Sequence, residues 1–355
     1  TAGLAGSCAF EGIAGICFRD NFQIQSANPP AANITKIINK IISPRFMSIT
    51  RFLFDSKLLL YDTHRMKMQQ PENLKNTLHR HFLVLQSIRN FFLAQGFLDV
   101  MTPPAVLCPG MEPHIHTFQL THSRNGTLAP FYLHTSPEFC MKELLTLQFE
   151  KIFTLTHTFR DEPQSPAHRF QFTMLEWYRA HTRYEQIMQD CQDLITTISK
   201  TLSITTPQMV RQTVQSLFQQ FTGVDILQYL EISAIRQLIQ SKFPHLIHNV
   251  VEWKNLGWED YFFLLFLNEI EPHLKKMGSV LLYEFPAPLA ALSTIKPQDP
   301  RVAERFEIYL NGIEICNAYN ELTNAQEQRR RFEISLEQKQ QLYGQTPPMP
   351  ERFLA

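Results

Sequence analysis

Several features that mark other protein classes are scarce or absent in this sequence of 355 residues. No run of about 18 apolar residues occurs, so the sequence gives no support to a transmembrane helix. The 33 basic residues equal the 33 acidic residues, so no net basic charge draws the chain to nucleic acid. Glycine is scarce (12) and phenylalanine is plentiful (28), which favours a packed globular protein over a disordered one.

The six cysteines are irregularly spaced and include no Cys-x-x-Cys pair. Zinc ribbons and disulfide frameworks show regular, paired spacing, so neither is expected, and we expect reduced thiols in a cytoplasmic protein. His114 and His116 could share one face of a strand, but no third metal ligand is evident. The sequence also lacks a G-x-S-x-G elbow, a Walker loop and a GxGxxG string, so serine-hydrolase, P-loop and dinucleotide interpretations have no support.

The character of the sequence changes near residue 72. Residues 1 to about 65 show no clear periodicity and the sequence begins with Thr, so we expect residues 1–72 to be a poorly defined N-terminal extension. It is either a genuine extension, or non-native upstream sequence, or disordered. Met47, Met66 and Met68 are alternative starts. Residues 73–355 are predicted to form one α+β domain in which helices flank an antiparallel sheet.

Hydrophobic periodicity places the elements of this domain. Apolar residues recur every three or four positions from Leu78 to Phe92, which predicts an amphipathic helix that Gly96 ends. A second helix is predicted over 137–149, and the stretch 185–276 is mostly helical by period. Strands are predicted over 131–134, 151–160, 170–178 and 280–285, and on both sides of Asn311-Gly312.

Two neighbouring predicted strands carry an unusual set of side chains. Alternate residues of a strand share a face, so Arg160 would lie on a polar face with three threonines, and Phe172 would lie with Glu176 on the next strand. This face would present a guanidinium, an aromatic ring and a carboxylate, which suit a phosphate, a purine and an amine. A surface Arg–Glu pair beside a core phenylalanine is the alternative.

Asn311-Gly312 is a strong signal for a β-hairpin with a two-residue loop. The register that follows from this loop sets Leu310 opposite Ile313, Tyr309 opposite Glu314 and Glu307 opposite Cys316.

Glu307 and Glu314 would then lie on one face of the hairpin, with about 7 Å or less between their Cβ atoms. Two carboxylates at this spacing can hold Mg²⁺ between them and a triphosphate, whereas a solvated acidic face is the alternative. Glu321 falls on the wrong face of a continuous strand. It could join the site only if the chain bulges or turns near residues 318–320.

Taken together, these strings resemble the catalytic core of class II lysyl-tRNA synthetases and, within that group, the elongation factor P–(R)-β-lysine ligase family. Gly96–Pro104 is similar to motif 1, which forms the dimer interface in class II enzymes, and Phe159–Glu162 with Phe172–Tyr178 is similar to motif 2. The resemblance covers about residues 72 to 353. Further similar strings are Thr135–Glu138, Glu271–Leu274, Tyr283–Ala287, Arg301–Glu307 and Gly312–Leu322.

The resemblance implies a role for particular residues. Arg160 would be the catalytic residue that holds the α-phosphate of ATP. The adenine and the phosphates would also be contacted by Glu162, His168 and Phe172. Mg²⁺ would be bound by Glu307 and Glu314. The amino-acid pocket would be lined by Ser136, Glu138, Glu176, Asn317 and Glu321.

The implied reaction is ATP-dependent activation of (R)-β-lysine, or lysine, as an aminoacyl-adenylate and its transfer to a lysine side chain of elongation factor P. The implied partners are elongation factor P and a second copy of the chain, with neither tRNA nor a membrane expected. One alternative is a lysyl-tRNA synthetase, which is disfavoured because residues 1–72 lack the alternating strands of an anticodon-binding domain. The other is an inactive remnant that only dimerises or binds nucleotide.

The sequence departs from the family pattern in three places. The glycine-rich motif 3 is expected after Pro350, but the sequence ends at Ala355, so we expect the last strand and helix of the fold to be missing and adenylation to be weak or absent. Pyrophosphate exchange at ordinary synthetase rates would contradict this expectation. Arg169 and Phe170 replace the usual Asn-Pro or Asn-Ser, and Ala318 replaces a usual glycine, which would narrow the amino-acid pocket by a methyl group and bears on selection between α- and β-lysine.

Overall fold

The computed structural model describes residues 71–162, 169–248 and 253–355. The predicted N-terminal extension, apart from its last two residues, and His168 lie outside the described residues. Within the described ranges, no helix is long and apolar enough to cross a membrane.

The helices of the described chain alternate with groups of strands, as expected for an α+β fold. They are α1 (Pro71–Ala94), α2 (Glu138–Leu145), α3 (Tyr184–Thr201), α4 (Val214–Thr222), α5 (Ile232–Lys242), α6 (Trp258–Leu265), α7 (Glu271–Met277), α8 (Ala325–Tyr343) and α9 (Glu351–Leu354). A π-helical turn, Phe266–Ile270, joins α6 to α7. Short 3-10 turns lie at Ile226–Gln228, Pro244–Leu246, Trp253–Asn255 and Ala287–Leu289.

The strands of the described chain form three sheets. They are β1 (Leu98–Asp99), β2 (Ala105–Val106), β3 (Gln119–Thr121), β4 (Leu128–Leu133), β5 (Lys151–Phe159), β6 (Gln171–Arg179), β7 (Met209–Thr213), β8 (Ser279–Pro286), β9 (Val302–Leu310) and β10 (Ile313–Tyr319). The sheet orders are β1-β5-β6, β10-β9-β8-β7 and β2-β4-β3. Pairing is antiparallel except for β1 with β5 and β7 with β8.

The predicted α+β class is confirmed, and the predicted strands occur with shifted ends. Strand β4 begins three residues before the predicted start, and α2 is shorter at both ends than the predicted helix. Strand β7 was missed, because it lies inside a stretch whose period is mostly helical.

Helix α1 packs on the first sheet through one apolar face. The ring of Phe92 is buried and lies 4.9 Å from the ring of Phe153 on β5, with Phe97 and Trp177 also in contact. Gly96, two residues after the helix, has φ +79°, a conformation that glycine adopts at little cost. The predicted end of the helix is therefore confirmed.

Strand β9 is buried along its whole length and lies at the centre of the molecule. One of its faces, which includes Phe306 and Ile308, packs into a core shared with α1 and α3. A second core lies among α4, α5 and α6 and is built around Phe218, Ile239 and Phe262. This packing fixes the position of the β9–β10 hairpin, which carries the predicted site residues Glu307, Glu314 and Asn317.

The β9–β10 hairpin corrects one predicted pair. Leu310 pairs with Ile313 and Tyr309 with Glu314, as predicted, but the register then shifts between Glu314 and Cys316. Glu307 consequently pairs with Asn317 rather than with Cys316.

The physical reason for the shift lies in the core. The extra residue, Ile315, and the thiol of Cys316 are both buried in the core next to α3, while the amide of Asn317 comes to lie beside the carboxylate of Glu307. The amide of Asn317 is thereby paired with a polar carboxylate, while the apolar side chain of Ile315 packs in the core. The bulge also moves Tyr319 and the following Glu321 towards the face that carries Glu314. The predicted irregularity therefore exists, but it lies at Ile315 and not near residues 318–320.

Candidate active site

A cavity of about 1030 Å³ lies between β6, the β9–β10 hairpin and α2. Most of the predicted site residues line it, although they come from four separate parts of the chain. The predicted residues that line the cavity are Ser136, Glu138, Arg160, Glu176, Glu307, Glu314, Asn317 and Glu321. Glu162 and Phe172 are not among the residues that line it, and His168 is outside the described residues.

Arg160 follows β5 directly and is held at the wall of the cavity. Its backbone N–H donates to the carbonyl of Phe170, and its Nε and Nη2 each donate to the carbonyl of Thr135 at 3.3 Å. The side chain is only 5% exposed, and burial lowers the pKa of its guanidinium against the opposing effect of nearby carboxylates, Glu112 and Glu162 among them. A fixed, buried guanidinium at a cavity wall is suited to binding a phosphate.

The predicted strand face around Arg160 is confirmed by the register of β5 and β6. Thr158 pairs with Phe172 and Thr154 with Glu176, so these side chains lie on one face. The Arg160 guanidinium carbon lies 5.2 Å from the centre of the Phe172 ring. The aromatic surface and the positive charge are therefore adjacent, as a purine with attached phosphates requires.

Glu162 lies two residues after Arg160 and interacts electrostatically with its guanidinium. Its Oε1 accepts a hydrogen bond from the backbone N–H of His116 at 3.2 Å. Burial raises the pKa of this carboxyl to about 7. A carboxyl with this pKa can be either a hydrogen-bond donor or an acceptor near neutral pH.

Glu176 is held by two hydroxyl groups at the cavity wall. Its Oε2 accepts from the Ser136 hydroxyl at 2.7 Å and its Oε1 from the Tyr178 hydroxyl at 2.8 Å. Burial, reinforced by the charge of Glu138, nevertheless raises the pKa of Glu176 to about 7. Tyr178 was not predicted as a site residue; its place two residues after Glu176 on the same strand face was the available signal.

Glu138 and Glu321 converge on one ammonium group. The Lys142 Nζ lies 2.6 Å from Glu138 Oε1 and 2.5 Å from Glu321 Oε2, and the Tyr319 hydroxyl also donates to Glu138 Oε1 at 2.9 Å. Burial raises the pKa of Glu321 to about 7 even though Lys142 opposes the shift. Glu138 and Lys142 are an i, i+4 pair on α2, whereas the contact of Lys142 with Glu321 joins distant parts of the chain and was not predicted.

The two acids of the hairpin lie buried on one face, as predicted. Glu307 accepts hydrogen bonds from the Arg305 guanidinium at 2.7 Å and from the Tyr309 hydroxyl at 2.5 Å. Burial, together with the charges of Glu307 and Glu314, raises the pKa of Tyr309 well above its ordinary value, so both carboxylates lie near this phenol. Arg305 was missed by the sequence analysis, although it lies two residues before Glu307 on the same strand face.

Comparison with known proteins decides the family. The family described as tRNA synthetases class II (D, K and N) matches residues 57–346. The chain belongs to this family.

Similar proteins within the class II synthetases carry one name. An elongation factor P–(R)-β-lysine ligase from Haemophilus influenzae (strain PittGG) is 36% identical over 295 residues, which is 81% of this chain and 85% of the relative. A protein of the same name from Edwardsiella ictaluri is 34% identical over 289 residues, or 81% and 86% of the two chains. A third, from Erwinia tasmaniensis, is 34% identical over 271 residues, or 74% and 79%. The resemblance inferred from the motifs is therefore confirmed.

Proposed function

We propose that this class II synthetase-like chain activates (R)-β-lysine or lysine with ATP and transfers the aminoacyl group to a lysine side chain of elongation factor P. The observation that carries the proposal is the single cavity in which a buried arginine faces a group of buried carboxylates. The arginine suits the phosphates of ATP, and the carboxylates suit a substrate with two ammonium groups. The names of the similar ligases support the same reaction.

In this proposal ATP lies over the strand face formed by β5 and β6. Phe172 stacks on the adenine, Arg160 binds the α-phosphate, and Glu162 contacts the adenine side. We propose that His168 lies over the phosphates of ATP, as the family resemblance implies. Arg160 acts by holding the α-phosphate in place and by stabilising the charge that develops on it, which requires no protein nucleophile.

Glu307 and Glu314 are the proposed Mg²⁺ ligands, and their chemistry fits this role. Mg²⁺ is commonly held by one or two carboxylates together with substrate phosphates, and both acids are buried at the cavity wall. Ligation by Glu307 would replace one of its hydrogen bonds with Arg305 and Tyr309. When bound, the ion would neutralise charge on the triphosphate.

The amino-acid pocket is proposed to consist of the five residues inferred above, together with Tyr178. Glu176 is oriented by Ser136 and Tyr178, so its carboxylate is fixed towards one ammonium of the substrate. Glu138 and Glu321 meet the second ammonium. The remaining polar group is the amide of Asn317, which the bulge at Ile315 brings to the cavity face.

The two chemical steps balance without a protein nucleophile. A carboxylate oxygen of the amino acid attacks the α-phosphorus of ATP, and pyrophosphate leaves with the electron pair of the broken P–O bond. The neutral ε-amine of the acceptor lysine then attacks the carbonyl carbon of the adenylate. A C–N bond forms, the C–O bond to AMP breaks, and the amine proton passes to solvent.

We further propose that the protein is a homodimer that works in the cytoplasm, with the dimer formed through Gly96–Pro104. Met101 in this segment is 95% exposed, and Leu98 and Leu93 beside it are also exposed, which makes an apolar surface suited to a partner.

The reaction is tested by incubating the chain with ATP, Mg²⁺, (R)-β-lysine and elongation factor P, and by measuring the intact mass of elongation factor P. The chain is used in molar excess over elongation factor P, so that slow transfer is also detected. A parallel reaction contains lysine-specific tRNA in place of elongation factor P. We expect an ATP-dependent gain of one β-lysyl residue on the protein and no charging of the tRNA. Charged tRNA with unmodified elongation factor P would instead identify a lysyl-tRNA synthetase.

A further inference from the structure

Lys142 contributes a positive charge inside the pocket proposed to bind a positively charged substrate. Its ammonium lies between the carboxylates of Glu138 and Glu321, at 2.6 and 2.5 Å, and its side chain is only 8% exposed. Three aromatic rings surround it, with centres 5.5 to 5.9 Å away, namely those of Tyr178, Tyr319 and Phe353. A cation at this distance from a ring is attracted to its face, so the ammonium is held from several sides.

We propose that Lys142 is a positioning residue for amino-acid recognition, whose fixed ammonium supplies the counter-charge of the Glu138 and Glu321 carboxylates and orients them to receive the substrate. It acts through these two acids and not by contact with reacting atoms. The inference rests on the proposed function, since it concerns how that amino-acid pocket is built.

The placement of Lys142 explains how several acids can be buried together. Glu138 and Glu321 share one cation, and two carboxylates so close to each other cannot both stay ionised without a counter-charge. Burial alone would lower the pKa of the Lys142 ammonium, but the two carboxylates outweigh this effect and raise it above its ordinary value. Lys142 is therefore charged throughout the neutral range and cannot release the acids by losing its proton.

The presence of Lys142 also determines the net charge of the proposed amino-acid pocket. Glu138, Glu176 and Glu321 supply three negative charges when ionised, and Lys142 supplies one positive charge, so two negative charges remain. This difference matches the two ammonium groups of a diamino acid. Glu112 also lines the cavity, but it interacts with two other cations, Arg160 and Lys339.

Other titratable groups also face the Lys142 ammonium and its two carboxylates, and they contribute to the charge of the pocket. Glu176 and Tyr178 face it from β6, Tyr319 from β10, and Glu112 from the loop before β3. The phenols of Tyr178 and Tyr319 have pKa values raised well above the ordinary value by burial, so they remain neutral donors. Neither phenol therefore changes charge between pH 6 and pH 9.

The test is the pH dependence of diamino-acid binding, measured by calorimetry with lysine and with (R)-β-lysine as the ligands. In Lys142→Met the Glu321 carboxyl loses the positive charge that opposes the rise of its pKa, so it binds a proton more readily at pH 7 and we expect the dissociation constant to rise by about tenfold or more. Raising the pH removes that proton, so the midpoint of the affinity-versus-pH curve should move up by about one unit or more. Lys142→Arg keeps the charge and should restore a midpoint close to that of the unmodified protein.

Two controls separate this role from a purely structural one. Lys296→Met breaks a comparable Lys–Glu pair, with Glu284, outside the cavity, and should leave both the affinity and the midpoint unchanged. If Lys142→Met does not fold, Lys142→Met combined with Glu321→Gln removes the pair of like charges, and its midpoint should return to that of the unmodified protein.

The outcomes that overturn the inference differ from those that overturn the proposed function. A midpoint in Lys142→Met equal to that of the unmodified protein, or a midpoint that stays high in the double variant, overturns the role of Lys142. An unmodified protein that binds neither lysine nor (R)-β-lysine at any pH contradicts the proposed function itself.

Discussion

The guanidinium of Arg160 and the ring of Phe172 lie 5.2 Å apart on one face of the β5–β6 pair. The two residues are twelve positions apart in the sequence, and the antiparallel register brings them together. This relationship places a phosphate-binding group beside a surface suited to a purine, and it motivates the first prediction.

Replacing Arg160 with lysine should weaken ATP binding. Lysine keeps the charge but loses the planar fork that binds a phosphate through two hydrogen bonds, and it also loses the stacking on Phe172. A lost hydrogen bond to a charged group is worth about 1.5–3 kcal/mol, so we expect the dissociation constant for ATP to rise by about 10- to 150-fold. Calorimetric titration with ATP and Mg²⁺ measures this.

Arg211→Lys is the matched control, because Arg211 is exposed on β7 and contacts Gln192 outside the cavity. Its affinity for ATP should equal that of the unmodified protein. Equal ATP affinity in the Arg160 variant would show that the phosphates bind elsewhere.

Diamino-acid binding should weaken as the pH falls from 8 to 6. Burial raises the pKa of Glu176 and of Glu321 to about 7 in the ligand-free protein, whereas the substrate ammonium groups need both acids ionised. Lowering the pH through 7 protonates these acids, so the dissociation constant should rise by up to about tenfold per pH unit for each proton taken up. Calorimetry over this pH range gives the slope and the midpoint.

Ser136→Ala provides a second test of the role of Glu176. The Ser136 hydroxyl donates to Glu176 and lowers the pKa of that carboxyl, so its removal should move the midpoint to higher pH. Ser241→Ala, on the far-removed α5, should leave the midpoint in place. A Ser136 variant with an unchanged or lowered midpoint would argue against Glu176 as an ammonium-binding group.

The dimer surface is tested by placing a charge on it. Met101 is 95% exposed, and Met101→Glu would bury a carboxylate at the proposed interface, which costs several kcal/mol when no partner is present. We expect the variant to sediment as a monomer at concentrations where the unmodified protein is a dimer. Leu147→Glu alters an equally apolar residue, 67% exposed after α2, and should remain dimeric.

Two isoleucines of α5, one buried and one exposed, test how much packing in the helical core contributes to the free energy of unfolding. Ile239 is fully buried, whereas Ile232, two turns earlier on the same helix, is 42% exposed. Ile239→Ala leaves a cavity and should lower the free energy of unfolding by about 2–5 kcal/mol, while Ile232→Ala should change it by less than about 1 kcal/mol. Urea unfolding followed by circular dichroism measures both; equal losses would contradict the described packing.

Local patterns in the sequence predicted much of the site, because they translate directly into geometry. Alternation along β5 and β6 placed Arg160, Phe172 and Glu176 on one face, and Asn311-Gly312 gave the turn and the first two pairs of the hairpin. These inferences needed only the periodicity of a strand and the preferences of a two-residue turn.

What the sequence did not reveal depends on contacts between distant segments. The bulge at Ile315 follows from the burial of Cys316 against α3, which no local pattern encodes. The same holds for Lys142, whose second partner, Glu321, lies 179 residues further along the chain. Strand β7 was hidden because it is a five-residue edge strand within a mostly helical stretch.

The most direct test of the central claim is the intact mass of elongation factor P after incubation with the chain, ATP, Mg²⁺ and (R)-β-lysine. The account predicts a mass increase of one β-lysyl residue that requires ATP and that decreases strongly when Arg160→Lys replaces the unmodified chain. An unchanged mass under conditions in which the chain binds both ATP and (R)-β-lysine would contradict it.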